Sequence, residues 1–396
     1  MSGRPESAVS ARVGCLGAAG ALLGLGVAFA LGGGAATLLL ALLVGAAVPM
    51  WWLEYRPVRR DYAIPLVSEA LPGMLVVCSL MICSILIQLA VGGMKGAAVG
   101  VLLLPALLVA AVGLLLALLR PASISMSILL AGNAVRKMVR RKALDPDERT
   151  AFLGWAVKAV FLPLMLGWAL VWLDGFERQL DGTDFMFWFS APFLCMYAID
   201  TAFGALGYMS TSRSIDAHIR SVDSTWLGWL SALACYPPLS ALIFDVILVY
   251  RHASDWTAWL QAGSIAAYAW GGVILALTWI YTWSTIVFGP RFSNLTHRGI
   301  ITSGPYRWSK HPAYLGKNLS WWLISVPFLP VMGWGQAVLH CMALLGVNAI
   351  YYLRARTEER HLRQDPVYVQ YTEWIRENGV VAKLRRFLTA RLRVFA

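Results

Sequence analysis

The sequence predicts an all-α fold: a polytopic membrane helix bundle of about ten transmembrane helices with both termini cytoplasmic. Three observations predict it. The 396-residue chain is 59% hydrophobic and only 14% charged, with a mean hydropathy of +0.64, whereas soluble domains carry about 25% charged residues. Its apolar residues form long uncharged runs, not the polar–apolar alternation of a membrane β-strand. Its basic residues gather in alternate connecting segments, as the orientation rule for membrane helices requires.

Ten runs approach the ~20 residues that cross a ~30 Å hydrocarbon core as helix. They cover roughly 13–31, 35–53, 72–91, 97–119, 150–173, 185–209, 226–250, 257–288, 313–332 and 335–353. Gly32-Gly33-Gly34 provides a tight turn between the first two. Arg4 and Arg12 ahead of the first run are also compatible with a signal peptide, but losing that span would spoil the charge balance. With ten spans and both termini inside, 28 of the 33 Lys and Arg residues are cytoplasmic. The inner segments include Arg56, Arg59 and Arg60, the cluster from Arg136 to Lys142, and the tail from Arg354 to Arg393. Outer loops keep only Lys95, Arg178 and Arg251, together with the acidic stretch from Asp174 to Asp184. The apolar stretch from Ser123 to Ala134 is too short to span. It reads as an interfacial helix with its following arginines on anionic lipid, or as a cytoplasmic extension of the fourth span.

Several function classes are excluded. The net charge of +12 lies in membrane flanks, with no zinc-finger spacing and no RNA-binding motif, so nucleic acid is not an expected partner. Cys15, Cys78, Cys83, Cys195, Cys235 and Cys341 all fall in apolar runs without C-x-x-C or Cys–His spacing. They predict neither a disulfide framework nor a metal site. No G-x-G-x-x-G follows a strand, which excludes a soluble Rossmann-type cofactor domain.

The polar constellations that remain lie on the inner side near the C-terminus. The segment Thr296 to Gly316 joins the eighth span to the ninth. Within it Gly304-Pro305 is turn chemistry, and Pro312 suits the first turn of a helix. His311 then stands at the mouth of the ninth span, with Tyr314 most of a turn deeper. Free N–H groups at that helix start suit a carboxylate or phosphate. From Gln336 to Glu358 the tenth span rises ~33 Å at 1.5 Å per residue, about one bilayer core. A helical hairpin therefore returns Arg354, Glu358 and Glu359 to the level of His311. Arg354 and Glu358 are spaced i,i+4 and share a face. Asp200 and Lys158 lie within spans; they are read as a structural pair, or Asp200 as part of a substrate cavity. The polar loop from Ser210 to Thr225 is read as an exposed loop or as a cover for the site.

T-H-x-G-I-I-T-S-G-P-Y-R-W-S-K-H-P-A-Y-L-G from Thr296, followed by R-A-R-T-E-E-R-H-L from Arg354 and then Y-x-x-Y, resembles the isoprenylcysteine carboxyl methyltransferase and phospholipid methyltransferase superfamily. The resemblance covers about Pro290 to Val380. It implies an S-adenosylmethionine cofactor held by His311, Tyr314, Arg354, Glu358 and Glu359, with Gly304 and Tyr306 shaping the entry loop. It implies no particular catalytic acid, base or nucleophile, since displacement at a sulfonium carbon rests on alignment. The sequence departs from the pattern at Lys310, where the family usually has Arg, and at Gln364-Asp365-Pro366 in place of Phe-Gly.

The expected protein is thus an integral membrane methyltransferase, of the bacterial inner membrane by its Ala-, Leu- and Arg-rich composition. Its methyl acceptor is a lipophilic molecule: an isoprenoid carboxylate, a lipid amine or a thiol. Residues 1–255 form an added helical region of unassigned role and 256–396 the methyltransferase-like core. A membrane reductase of the sterol type using NADPH is the alternative, although such reductases tend to carry Asn where Ala313 stands. A transporter or scaffold is the third reading, without the internal repeats that would favour it.

Overall fold

The computed structural model describes residues 3–57, 65–90, 96–120, 124–179, 182, 184–249 and 255–394. Arg59, Arg60, Lys95, Arg251 and Ser123, on which parts of the sequence reading rest, lie outside these residues. The chain forms α1 (Ala11–Ala30), α2 (Ala35–Glu54), α3 (Val67–Ala90), α4 (Gly96–Leu119), α5 (Met126–Val139), α6 (Pro146–Gln179) and α7 (Phe185–Met209). There follow α8 (Trp226–Leu233), α9 (Leu239–Ala241), α10 (Trp256–Trp259), α11 (Ile265–Ile286), α12 (Pro312–Ser325), α13 (Trp334–Leu362), α14 (Pro366–Asn378) and α15 (Val380–Val394). The strands among the described residues are β1 (Ser221–Val222) and β2 (Thr296–His297), paired antiparallel with Ser221 opposite His297.

Among the described residues, α1, α2, α3, α6, α7, α11 and α13 are long and apolar enough to cross a membrane, and α4 has the extent expected of the fourth span. The protein is an integral membrane helix bundle. Three expected spans take other forms. The run 226–250 is broken, because Pro237 and Pro238 follow α8 and a proline removes a backbone donor and clashes with the preceding turn. After α9 the chain continues as a π-helical turn over Leu242–Ile247. The run 313–332 ends early: α12 stops at Ser325, and Val326 adopts φ 33° before Pro327. At ~1.5 Å per residue its 14 residues rise only ~21 Å. The run 257–288 splits at Gly263, after which Ser264 caps α11 by accepting from the Ala267 N–H.

Small residues set the helix spacing. Gly20 faces Gly45, and a Cβ on Gly20 would come within 2.1 Å of the Gly45 carbonyl, so α1 and α2 approach backbone to backbone. Likewise Gly73 of α3 meets Ile128 of α5. With Ser125 at its N-terminal boundary, α5 is a separate helix rather than an extension of α4. It ties to α6 through Lys137, which pairs with Asp145 at 2.7 Å and Glu148 at 2.8 Å. The largest core cluster draws on both sides of residue 255, joining Val13, Leu42, Met50, Ala202 and Phe203 to Ile286, Val287 and Ile301.

One end of the bundle collects the polar connections. Arg298 is buried and donates to the carbonyls of Gly207 at 2.6 Å, Phe292 at 3.0 Å and Ala217 at 2.7 Å. Its cation thus satisfies the Gly207 acceptor in the last turn of α7 together with two loop carbonyls. Arg291 pairs with Glu54 at 2.9 Å, tying the end of α2 to the same loop. The N-terminal segment docks here too: Ala8 N–H donates to the Ile300 carbonyl, and Thr302 Oγ1 to the Pro5 carbonyl at 2.8 Å. Tyr368 and Tyr371 of α14 pack against the same Ile300, so the N-terminal segment and α14 share this end.

Candidate active site

The site forms where α12 and α13 converge at the polar end. Helix α12 leans on α11, since Gly316 lets the Leu277 carbonyl approach to 2.7 Å of where a Cβ would stand. Helix α13 packs on α8, with Ser231 Oγ 3.0 Å from Thr357 Oγ1. Side-chain hydrogen bonds join α12 to α13. Asn348 donates to Asn318 and accepts from Trp322, both at 2.8 Å, as suits polar groups inside a bilayer.

Nearer the polar end, both parts of the sequence motif meet. Tyr314 Oη donates to Glu358 at 2.9 Å. The Tyr314 ring stacks on His311 with centroids 5.4 Å apart and planes 4° apart. Arg354 is buried; its guanidinium lies 5.3 Å from the ring centres of both Tyr314 and Tyr236 and donates to Asn294 Oδ1 at 2.6 Å. Asn294 in turn donates to Tyr236 Oη at 3.1 Å.

Tyr314, Arg354 and Glu358 lie on the wall between two cavities. The smaller is polar, with Asp223, Asn294, Thr296, Arg354, Glu358 and His361 around it. The larger is aromatic, with Tyr236, Tyr281, Phe288, Phe292, Tyr306 and Tyr351, and carries Lys310, His311 and Lys317.

The expected site residues therefore divide. His311, Tyr314, Arg354, Glu358 and Tyr306 line a cavity. Glu359 turns away from both and is buried among cations. It pairs with Lys310 and with His311 Nε2 at 3.0 Å, with Arg356 and Arg363 at 3.6 and 3.8 Å. Its position fastens the mouth of α12 to α13. Gly304 is buried behind the entry loop at φ +58°, where a Cβ would come within 2.6 Å of Val287 Cγ1.

Both departures from the family pattern have local explanations. Lys310 meets Glu359 with a single ammonium, so no bidentate fork is used. Asp365 caps α14 by accepting from the Val367 N–H at 2.8 Å, and Pro366 opens that helix. Asp365 also lies 3.1 Å from His297 Nε2. Tyr371 donates to the carbonyls of Tyr306 at 2.8 Å and Ser309 at 3.2 Å, steadying the loop into His311.

Residues 272–364 match the isoprenylcysteine carboxyl methyltransferase (ICMT) family. No curated protein and no solved structure matches the chain significantly. The ICMT segment supports a membrane methyltransferase, and it spans α12, α13 and most of α11, which furnish Tyr281, His311, Tyr314, Arg354 and Glu358.

The site also draws on residues outside the ICMT segment that the motif did not reveal. Asp223 is buried and accepts from the Thr225 N–H and hydroxyl at 2.8 and 2.7 Å, and Ser221 Oγ lies 2.8 Å from His361 Nε2. The Ser210–Thr225 loop is therefore part of the site wall, not an ordinary exposed loop. Asp200 of α7 accepts from Tyr281 and Thr285, both of which line the larger cavity. In place of the expected pair with Asp200, Lys158 stands 4.0 Å over the Trp155 ring.

Proposed function

We propose that the protein transfers a methyl group from S-adenosylmethionine to a lipophilic acceptor held within the membrane. The observation that carries this reading is the shared wall: Tyr314, Arg354 and Glu358 come from both halves of the motif and separate a polar cavity from an aromatic one. The polar side matches the cofactor's needs. Glu358 and Asp223 accept from an amino group or ribose hydroxyls, and Arg354 meets a carboxylate. Thr296 Oγ1 is buried at this cavity without a hydrogen-bond partner, an orphan that a bound polar group would satisfy. The residues present fit the group.

When bound, the cofactor supplies an electrophilic methyl carbon next to a sulfonium. The chain supplies position. The Tyr314 hydroxyl bond to Glu358 fixes the orientation of a ring that stands against both His311 and the Arg354 guanidinium. His311 stacks behind that ring, and Glu359 holds His311. The aromatic walls of the larger cavity keep water from the reacting atoms and favour an apolar acceptor entering from the bilayer, with the polar end of the bundle facing the cytoplasm.

The test is ligand binding to purified protein in detergent, with S-adenosylhomocysteine and NADPH titrated separately. Saturable binding of the first, weakened in Glu358→Ala, is the expected result. Binding of NADPH alone would make the protein a reductase. Binding of neither would return the site to a structural role.

A further inference from the structure

The last helix carries a surface that the methyltransferase site does not use. Helix α15 has Val380, Val381, Leu384, Phe387 and Leu388 exposed, each at 50% or more of its surface. Val380, Leu384, Phe387 and Leu388 recur at i, i+4, i+7 and i+8, one stripe of an α-helix. Lys383 and Arg385 flank that stripe and Arg386 lies on the opposite side; all three are exposed. Residues 380–396 hold five basic side chains, Lys383, Arg385, Arg386, Arg391 and Arg393, and no acidic one.

The position of α15 is set at its start. Val380 N–H donates to the Trp308 carbonyl at 2.9 Å, and Gly379 permits the contact, since a Cβ there would come within 3.1 Å of the same oxygen. Trp308 is three residues from His311, at the mouth of α12. The helix therefore begins at the level where the spans leave the hydrocarbon. A soluble surface would not carry this apolar stripe, and a span would be longer and uncharged. An apolar stripe flanked by Lys and Arg at that depth is the composition of a helix lying in the membrane interface.

We propose that α15 docks on the anionic lipid surface at the polar end of the bundle. Leu384, Phe387 and Leu388 enter the headgroup–acyl boundary and Lys383, Arg385 and Arg386 meet lipid phosphates. The occupant is lipid rather than protein because the charge is of one sign and complements an anionic leaflet. Through Val380 and Trp308 the docked helix also holds the loop that leads into His311. This inference does not depend on which reaction the site performs.

Hydrogen exchange of the full chain reconstituted in lipid nanodiscs tests it. In discs with phosphatidylglycerol, the amides of 384–394 should exchange about tenfold more slowly than in neutral phosphatidylcholine, and the difference should shrink at high salt. The charge-reversal variant Lys383→Glu, Arg385→Glu, Arg386→Glu should lose it while amides of α13 keep their protection, which shows that the bundle is intact. Equal exchange in both lipids would overturn the proposal. So would protection that rises with protein concentration in detergent, because the occupant would then be a second copy.

Discussion

Tyr314 of α12 donates a hydrogen bond to Glu358 of α13 at 2.9 Å, closing the gap between two helices that reach the site on separate supports. The bond crosses the wall between the two cavities, so it sets the shape of both. Glu358 itself is exposed, available to a ligand as well as to Tyr314.

From this pairing, Tyr314→Phe should weaken S-adenosylhomocysteine binding by about three- to tenfold, the scale of one hydrogen bond to a charged group. Glu358→Ala removes both the bond and the ligand's acceptor, and should cost more than about tenfold. Isothermal titration of the two variants checks the order. If Tyr314→Phe costs as much as Glu358→Ala, the phenol rather than the carboxylate is the ligand's partner.

Glu359 is predicted to act through stability. Its carboxylate is buried and faces Lys310, His311, Arg356 and Arg363, so Glu359→Ala leaves a cluster of cations uncompensated. Breaking a buried pair costs ~3–5 kcal/mol. Lys310 is about 29% exposed and solvent screens part of this, which suggests about 2–3 kcal/mol. Thermal unfolding should show a lowered midpoint for Glu359→Ala and a smaller drop for Lys310→Ala. An unchanged midpoint with lost ligand binding would make Glu359 a ligand residue instead.

How much of this was legible in the sequence depends on what each feature rests on. The meeting of His311 and Tyr314 with Glu358 and Glu359 followed from helical rise, since α13 returns along a rod whose length per residue is fixed. The motif could not distinguish Glu358 from its neighbour Glu359. Adjacent helical positions point about 100° apart, and only packing decides which faces a cavity. Asp223 and Asn294 were silent because their role arises from the β1–β2 pairing, a contact between segments 76 residues apart, Ser221 with His297. The broken helices carried their own signals, Pro237-Pro238 and Val326-Pro327. Hydropathy over a long window averages such breaks away, which is why runs 226–250 and 313–332 read as spans.

His218 and His297 predict a pH dependence of stability. Burial pushes both below their ordinary value of 6.5, against the opposing pull of Asp216 on His218 and of Asp365 on His297. As pH falls through 6.5 the unfolded chain takes up protons that the folded chain still refuses, so the unfolded state gains and stability falls. Above 6.5 the contribution is complete and flat. The thermal midpoint should decline from pH 7.5 to 5.5, and His297→Gln should flatten part of that decline. A midpoint that rises on acidification would mean that the Asp365 carboxylate outweighs burial at His297.

Gly304 is predicted to tolerate no side chain. Its φ of +58° favours glycine, and a Cβ would come within 2.6 Å of Val287 Cγ1. Gly304→Ala should therefore shift the loop toward Tyr306 and His311, lowering ligand affinity together with stability. Val287→Ala should restore part of the loss by making room, whereas a purely conformational penalty would leave the double variant no better than Gly304→Ala.

Asp200 offers a way to separate the two cavities. It is buried in α7, outside the ICMT segment, yet Tyr281 and Thr285 carry its hydrogen bonds to the wall of the larger cavity alone. A carboxylate inside a span is costly and usually serves a polar cavity or pathway. Asp200→Asn preserves the shape but can turn a donor toward Tyr281, reorienting the phenol on the wall of the larger cavity. With an identified acceptor, Asp200→Asn and Tyr281→Phe should raise its KM by about three- to tenfold while leaving S-adenosylhomocysteine affinity unchanged. An equal loss of cofactor affinity would show that Asp200 supports the whole bundle rather than the acceptor chamber.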